Sequence, residues 1–145
     1  MEHLPVFINL RQKPCLVVGG GDIALRKVNL LLKAQAKVKC VSPKFCNGLI
    51  DLSKENTLDL IEKRFESSDI NNQSVIIAAT DDDKTNAMVS SLAHESGIPI
   101  NVVDSPDLSS FIMPSIVDRS PIVIAISSAG KAPVLARIIR AKLET

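Results

Sequence analysis

The stretch CLVVGGGDIALRK, residues 15–27, constrains this chain more than any other. Four consecutive apolar residues, Cys15 to Val18, read as a strand covered on both faces. Three glycines follow at once. The segment IALRKVNLLLKA (23–34) then sets Ala24, Val28, Leu31 and Leu32 on one stripe of a helix. Gly19-x-Gly21-x-x-Ala24 therefore fits the G-x-G-x-x-G/A spacing in the strand–turn–helix setting that a dinucleotide fingerprint requires. Gly19 allows the tight turn, Gly21 lets the backbone approach a pyrophosphate, and Ala24 keeps helix and sheet close. The amides of Asp22 and Ile23 are first-turn donors without intrahelical partners, and the positive end of the helix dipole adds to their pull on an anion. A glycine-rich turn with no ligand is the plain alternative, against which a second strand, KVKCV (37–41), completes the expected unit.

The same alternation continues. TLDLIEKR (57–64) alternates apolar with polar residues, and SVIIAAT (74–80) reads as a buried strand. TNAMVSSLAHES (85–96) reads as a helix with Val89, Leu92 and Ala93 inward, stopped by Gly97, before a last strand in PINVVD (99–104). Strands alternating with helices through residue 104 predict an α/β fold, a Rossmann-like doubly wound parallel sheet joined by right-handed crossovers. After about residue 113 the pattern changes: FIMPSIV and IVIAIS flank DRSP, a hairpin signal, and PVLARIIRAKL (133–143) opens with Pro at a first helical position. The expected division is a dinucleotide-binding domain over 1–113 and a C-terminal β-hairpin plus helix over 114–145.

At 145 residues, 46% hydrophobic and 23% charged, the chain suffices for one well-buried core. Seventeen basic against sixteen acidic residues, no basic run and no Trp or Tyr argue against nucleic acid as a partner. The N-terminus lacks a signal-like pattern and no stretch approaches a membrane span, so no membrane partner is expected and the expected compartment is the cytoplasm. Cys15, Cys40 and Cys46 have neither disulfide nor zinc-site spacing. The first two read as core thiols, His94 as a solvated helix residue, and no metal site is expected.

The second strand exits at Ser42-Pro43-Lys44, where NAD-binding chains usually place a carboxylate for the adenosine ribose. Ser42 could bond a ribose hydroxyl and Lys44 could attract a 2′-phosphate, which leaves NAD against NADP open. ATDDD (79–83) reaches the same sheet edge, so Thr80 and Asp81 are candidates to line the cofactor, while Asp82 or Asp83 suits a helix cap. With no Tyr, a Tyr-x-x-x-Lys reductase is excluded. Asp104 closes the last strand at the edge where such sheets bind ligands, and reads equally as a catalytic carboxylate or as a cap for the turn DSPDL.

Taken together, HLPVFINLR, VVGGGDIALRK, AATDDDKTN and NVVDSPDLSSFIMPSIVDRSPIVIAISSAGKAPVLARIIRAKLE resemble the N-terminal module of siroheme synthases, the precorrin-2 dehydrogenase and sirohydrochlorin ferrochelatase family. The resemblance covers nearly all of the chain, and FIMPS with SSAGKAPVLAR is far more specific than a glycine loop. It implies NAD-dependent oxidation of precorrin-2 to sirohydrochlorin, then insertion of ferrous iron to give siroheme. It assigns the essential acid to Asp104 and cofactor contacts to Gly19, Gly20, Gly21, Asp22, Ile23, Ser42, Pro43 and Lys44. It also implies a homodimer built through 114–145, as the start of a longer C-terminal region. A substrate fringed with carboxylates needs cations and N–H donors; Ser127, Ser128, Gly130 and Lys131 precede a helix N-terminus that suits it, with Arg119 a further candidate. Arg137 and Arg140 suit a solvated face or a dimer contact. Phe111 and Met113 would line a tetrapyrrole cleft or simply pack in a core. The rival reading is a non-catalytic NAD(H)-sensing module, which shares the glycine loop but has no need of FIMPS.

Overall fold

The computed structural model describes residues 1–55 and 58–145. Two compact units emerge: Phe7–Ser110, and Met1–Val6 together with Phe111–Thr145. Thr57, expected at the start of a strand, lies outside the described residues.

In the larger unit, β1 (Pro14–Val18), β2 (Lys37–Ser42), β3 (Leu58–Glu62), β4 (Val75–Ala78) and β5 (Ile100–Val102) form one parallel sheet in the order β3-β2-β1-β4-β5. This is the Rossmann-like arrangement the alternating pattern predicts. The chain runs outward from β1 to β3 and then returns to the other side of β1. With right-handed crossovers that reversal assigns the helices to opposite faces and puts the topological switch between β1 and β4. Each helix forms where one stripe is apolar. Within α1 (Asp22–Lys33), Ala24, Val28 and Leu31 are buried and Leu32 half-buried; within α3 (Asp83–Glu95), Val89 and Ala93 are buried. Asp82 caps α3 by accepting from the Lys84 amide at 3.2 Å, and Gly97 follows its end at φ +67°. The apolar spacing did not predict α2 (Asn47–Glu55), which buries only Leu49 and opens on Asn-Gly, a turn signal.

The core gathers Leu16, Val18, Val41, Ile76, Ala78, Val89, Ile100 and Val102. Continuous apolar strands match burial on both faces. β5 lies at a sheet edge, and the following loop covers its ladder groups: the Ser110 hydroxyl accepts from Ile100 N and the Ser109 hydroxyl from Val102 N, both at 2.9 Å. Two serines thus replace a sixth strand and satisfy polar groups that an exposed edge leaves open.

In the second unit, β6 (Ser115–Arg119) and β7 (Ile122–Ile126) form an antiparallel hairpin, against which α4 (Pro133–Glu144) packs. Arg140 Nε donates to the Ile116 carbonyl at 3.0 Å, Arg119 donates to the Glu144 carbonyl at 2.8 Å, and Lys131 pairs with Glu2 at 3.0 Å. Val134, Leu135, Ile138, Ile139 and Leu143 of α4 are exposed, as are Ile122 and Val123 of β7. Among the described residues no helix is long and apolar enough to cross a membrane.

Burial pushes the thiol pKa of Cys15 up to about 11 and that of Cys40 up to about 12, Cys46 adding to the latter. Both therefore stay protonated where a free thiol ionises, and alkylation of the folded chain near pH 8 should modify Cys46 and spare the other two. Because the unfolded thiols ionise near 9, the stability held in protonated Cys40 is complete below that pH and is lost as pH climbs toward about 12. Chemical unfolding followed over that window should show a decline that Cys40→Ala reduces; equal slopes would refute the assignment.

Candidate active site

The registers Val18↔Val41, Val41↔Ile61, Val18↔Ala78 and Ala78↔Val102 bring all five strand exits to one edge of the sheet. Along that edge runs a cleft of about 1190 Å³, lined from every exit: Gly19 to Ile23 after β1, Ser42 to Cys46 after β2, Arg64 and Phe65 after β3, Ala79 to Asp82 after β4, and Val103 and Asp104 after β5. Its length along the edge suits an extended ligand bound outside the carboxyl ends of the strands.

The glycine loop is shaped by backbone on both sides. Gly19 sits at φ +137°, and a Cβ there would strike the Ala79 carbonyl. A Cβ on Gly20 would strike the Lys44 carbonyl and the Ser42 side chain. At Gly21 a Cβ would meet nothing within 4 Å, since that residue faces open cleft. α1 has no side-chain cap, and its first backbone bond runs from Leu25 N to Gly21 O at 3.0 Å. The amides of Asp22 and Ile23 thus open the helix as donors facing the cleft, a cradle that fits a pyrophosphate.

Ser42 does not reach outward. Its hydroxyl donates to the Lys44 carbonyl at 2.8 Å and holds the Ser42-Pro43-Lys44 turn, leaving the Lys44 side chain exposed. Thr80 lines the cleft yet spends its hydroxyl on the loop, with Asn86 Oδ1 at 2.7 Å, while Asn86 Nδ2 donates to the Thr80 carbonyl at 3.0 Å. Asp81 is exposed beside it. Thr85 donates to the Asp82 carboxylate at 2.6 Å; that bond, joined by the Lys84 and Thr85 amides, draws the Asp82 pKa below the usual value.

Asp104 occupies the left-handed region at φ +60°, where the chain turns out of β5. The loop after it is held by Ser109, whose hydroxyl donates to the Ser105 carbonyl at 2.9 Å. The Asp104 carboxylate makes no hydrogen bond or ion pair with the described residues and opens on the cleft. The turn-capping alternative is thus supplied by a serine. Burial, then Arg26, lowers the pKa of half-buried Lys27 in α1, and the charge of Asp104 acts in the opposite direction, so the two sense each other.

Gly19, Gly20, Gly21, Asp22, Ile23, Ser42, Pro43, Lys44, Thr80, Asp81 and Asp104 are thus brought to one cleft. Ser127, Ser128, Gly130, Lys131, Arg119, Phe111 and Met113 belong to the other unit. There Ser127 and Ser128 accept from the Ala129 and Ala132 amides at 3.0 and 2.9 Å, and Ala129 and Gly130 take positive φ in the turn before α4. Phe111 and Met113 are half-buried. Sequence reasoning missed Phe45, Cys46, Arg64 and Phe65; reading up to four residues past every strand end would have found them. Among the described residues no cluster of three or more His, Cys, Asp or Glu could hold a metal ion.

The family described as putative NAD(P)-binding matches residues 6–115, and the family described as sirohaem biosynthesis protein central matches residues 119–145. The chain is 61% identical over 145 residues to a siroheme synthase of Ruthia magnifica subsp. Calyptogena magnifica, covering 100% of this chain and 31% of that protein. It is 54% identical to a siroheme synthase of Pseudoalteromonas translucida (strain TAC 125), with the same two shares. It thus spans about a third of the length of the curated relatives it matches. Among solved structures, SirC, a precorrin-2 dehydrogenase, superposes with a TM-score of 0.82 at 26% identity, covering 97% of this chain and 69% of that one.

A nucleotide seated in this cleft covers Cys46, which is half-buried on its wall. Saturating NAD should slow alkylation of Cys46 several-fold, read by mass spectrometry of the labelled peptide. Unchanged labelling in the presence of bound NAD would mean that the nucleotide lies elsewhere.

Proposed function

The chain belongs to the putative NAD(P)-binding family, matches the N-terminal region of siroheme synthases from end to end, and has NAD as its cofactor; from that premise we propose that it oxidises precorrin-2 to sirohydrochlorin with Asp104 as the general base. The observation that carries the reading is the free carboxylate of Asp104 on the same cleft as the glycine cradle.

The bound dinucleotide supplies the hydride acceptor. In the oxidation a C–H bond of the reduced macrocycle breaks with its electron pair, which leaves as hydride, and a second hydrogen leaves as a proton. Asp104 takes that proton on a carboxylate oxygen and passes it to water at the exposed mouth. The Asp22 and Ile23 amides hold the pyrophosphate at the centre of the cleft, and Gly21 keeps that approach clear. Ser109 and Ser110 fix the strand exit from behind, so Asp104 is aimed without being consumed.

A substrate bearing several carboxylates also calls for the cations and amides of Arg119, Ser127, Ser128, Gly130 and Lys131, which the same reading assigns to substrate binding. Phe111 and Met113 would contribute apolar contact to the macrocycle. Ferrous iron is the substrate of a proposed second step, in which pyrrole protons leave and the four macrocycle nitrogens become the ligands. The exposed apolar face of α4 with Ile122 and Val123 supports pairing of two copies through 114–145, since an apolar stripe of that kind is commonly covered by a partner. The family resemblance makes the cytoplasm the proposed compartment.

Asp104→Asn should reduce sirohydrochlorin formation from precorrin-2 and NAD under anaerobic conditions by about 10²–10⁴-fold. NAD affinity by calorimetry should change far less. Wild-type turnover in the variant would exclude Asp104 as the base, and equal loss of turnover and NAD binding would assign it a structural role. A chain that binds NAD and leaves precorrin-2 unoxidised would be a sensor.

A further inference from the structure

The buried stripe of α1, Ala24, Val28 and Leu31, packs on β1 and β2. Leu25, on one flank of that stripe, faces α2, where a Cβ on Gly48 would strike its side chain. At about 100° per residue, Ile23 and Lys27 lie one turn apart on the other flank, each about 200° from Leu25. In the sheet order β3-β2-β1-β4-β5, α2 joins β2 to β3 on one side of β1, so the opposite flank of α1 looks toward β4 and β5. A long side chain on a helix runs back toward the N-terminus, which lays Lys27 over Ile23, a residue of the cleft wall. Lys27 thus stands just outside the nucleotide cleft, on its Asp104 side.

Its chemistry sets it apart. Lys27 is half-buried, yet its ammonium has no hydrogen-bond or ion-pair partner among the described residues. Burial, and then Arg26, draw its pKa below the usual value, and the carboxylate whose charge opposes them is Asp104. Asp104 is therefore within electrostatic reach, although the two do not close into an ion pair. A cation partly stripped of water and left unpaired is costly until an anion from outside the chain completes it.

We propose that Lys27 is a specificity-determining residue for the macrocycle: its ammonium receives one carboxylate of the tetrapyrrole on the α1 side of Asp104 and so brings the departing proton within reach of that base. The inference rests on the reading of Asp104 and precorrin-2 above and adds to it a residue and a side of the sheet edge. A charge-assisted bond from a half-buried ammonium is stronger than one made in open water. Pairing Lys27 with the substrate also leaves Asp104 unengaged, as a base must be.

Fluorescence titration of the full chain with sirohydrochlorin, the product macrocycle, and anaerobic turnover of precorrin-2 with NAD test this. Lys27→Gln should weaken sirohydrochlorin binding and raise the KM for precorrin-2 by about tenfold, with kcat within about twofold and NAD affinity unchanged. Lys27→Arg should recover most of the loss, and affinity in the unmodified chain should fall more steeply with salt than in Lys27→Gln. In the unmodified chain, bound sirohydrochlorin should shield Lys27 from acetylation several-fold, read by mass spectrometry, and NAD alone should not. Unchanged macrocycle affinity in Lys27→Gln, or an unshielded Lys27 beneath bound macrocycle, would overturn the proposal. A fall in kcat at constant KM would overturn it too, since Lys27 would then act through Asp104, and equal loss of NAD and macrocycle would make its role structural. Binding of sirohydrochlorin through Lys27 by a chain that leaves precorrin-2 unoxidised would remove the dehydrogenase reading and leave this contact standing.

Discussion

Between β1 and α1 the backbone is pressed against two neighbouring loops, and the site depends on that crowding. Gly19 lies against the Ala79 carbonyl and Gly20 against the Lys44 carbonyl, so the exits of β4 and β2 are both seated on the glycine turn. Backbone bonds reinforce the contact: Gly19 N donates to Val41 O at 3.0 Å, Ala79 N to Val18 O at 2.8 Å, and Cys46 N to Gly20 O at 2.8 Å. A side chain at either glycine would push these loops apart and displace three parts of the cleft together. Gly21 is under no such pressure and leaves its space to the ligand.

From this turn outward the cleft divides by chemistry. Its centre offers amides at a helix N-terminus, its β5 end a carboxylate with no hydrogen bond or ion pair among the described residues, and its β2–β3 end two cations. Serines do much of the holding. Ser42 ties the turn after β2, Ser109 and Ser110 tie the loop after β5, and each leaves a neighbouring charged residue unengaged. Polar groups that satisfy backbone at a sheet edge keep the ionisable ones available for a ligand. The second unit is organised differently, by arginine-to-carbonyl bonds and an ion pair around the hairpin and α4, and presents an apolar helix face.

Much of the larger unit was legible from apolar periodicity. Cys15–Val18 and Val75–Ala78 are unbroken apolar runs because both sheet faces are covered, and Ala24, Val28 and Leu31 mark one helical stripe. α2 was not legible: a nine-residue helix that buries one leucine and opens on Asn-Gly carries little signal. The glycine turn and Asp104 could be placed because strand ends determine where ligands bind. Arg64 and Phe65 escaped because β3 alternates weakly and its exit contains no glycine or motif. The roles of Ser42 and Thr80 could not be assigned from composition, since a hydroxyl facing a ligand and a hydroxyl facing its own loop look the same in a sequence. Only the bonds to the Lys44 carbonyl and to Asn86 distinguish them.

The central claim is that one nucleotide cleft runs from the glycine turn to Asp104 along the carboxyl edge of the sheet. Amide chemical-shift mapping of the isotope-labelled chain during an NAD titration tests it most directly. The account predicts saturable shifts at Gly19 to Ile23, Lys44, Thr80 and Asp104, with the opposite sheet edge around Lys37 and Ser74 silent. Shifts concentrated on that opposite edge, with the glycine turn unmoved, would contradict it.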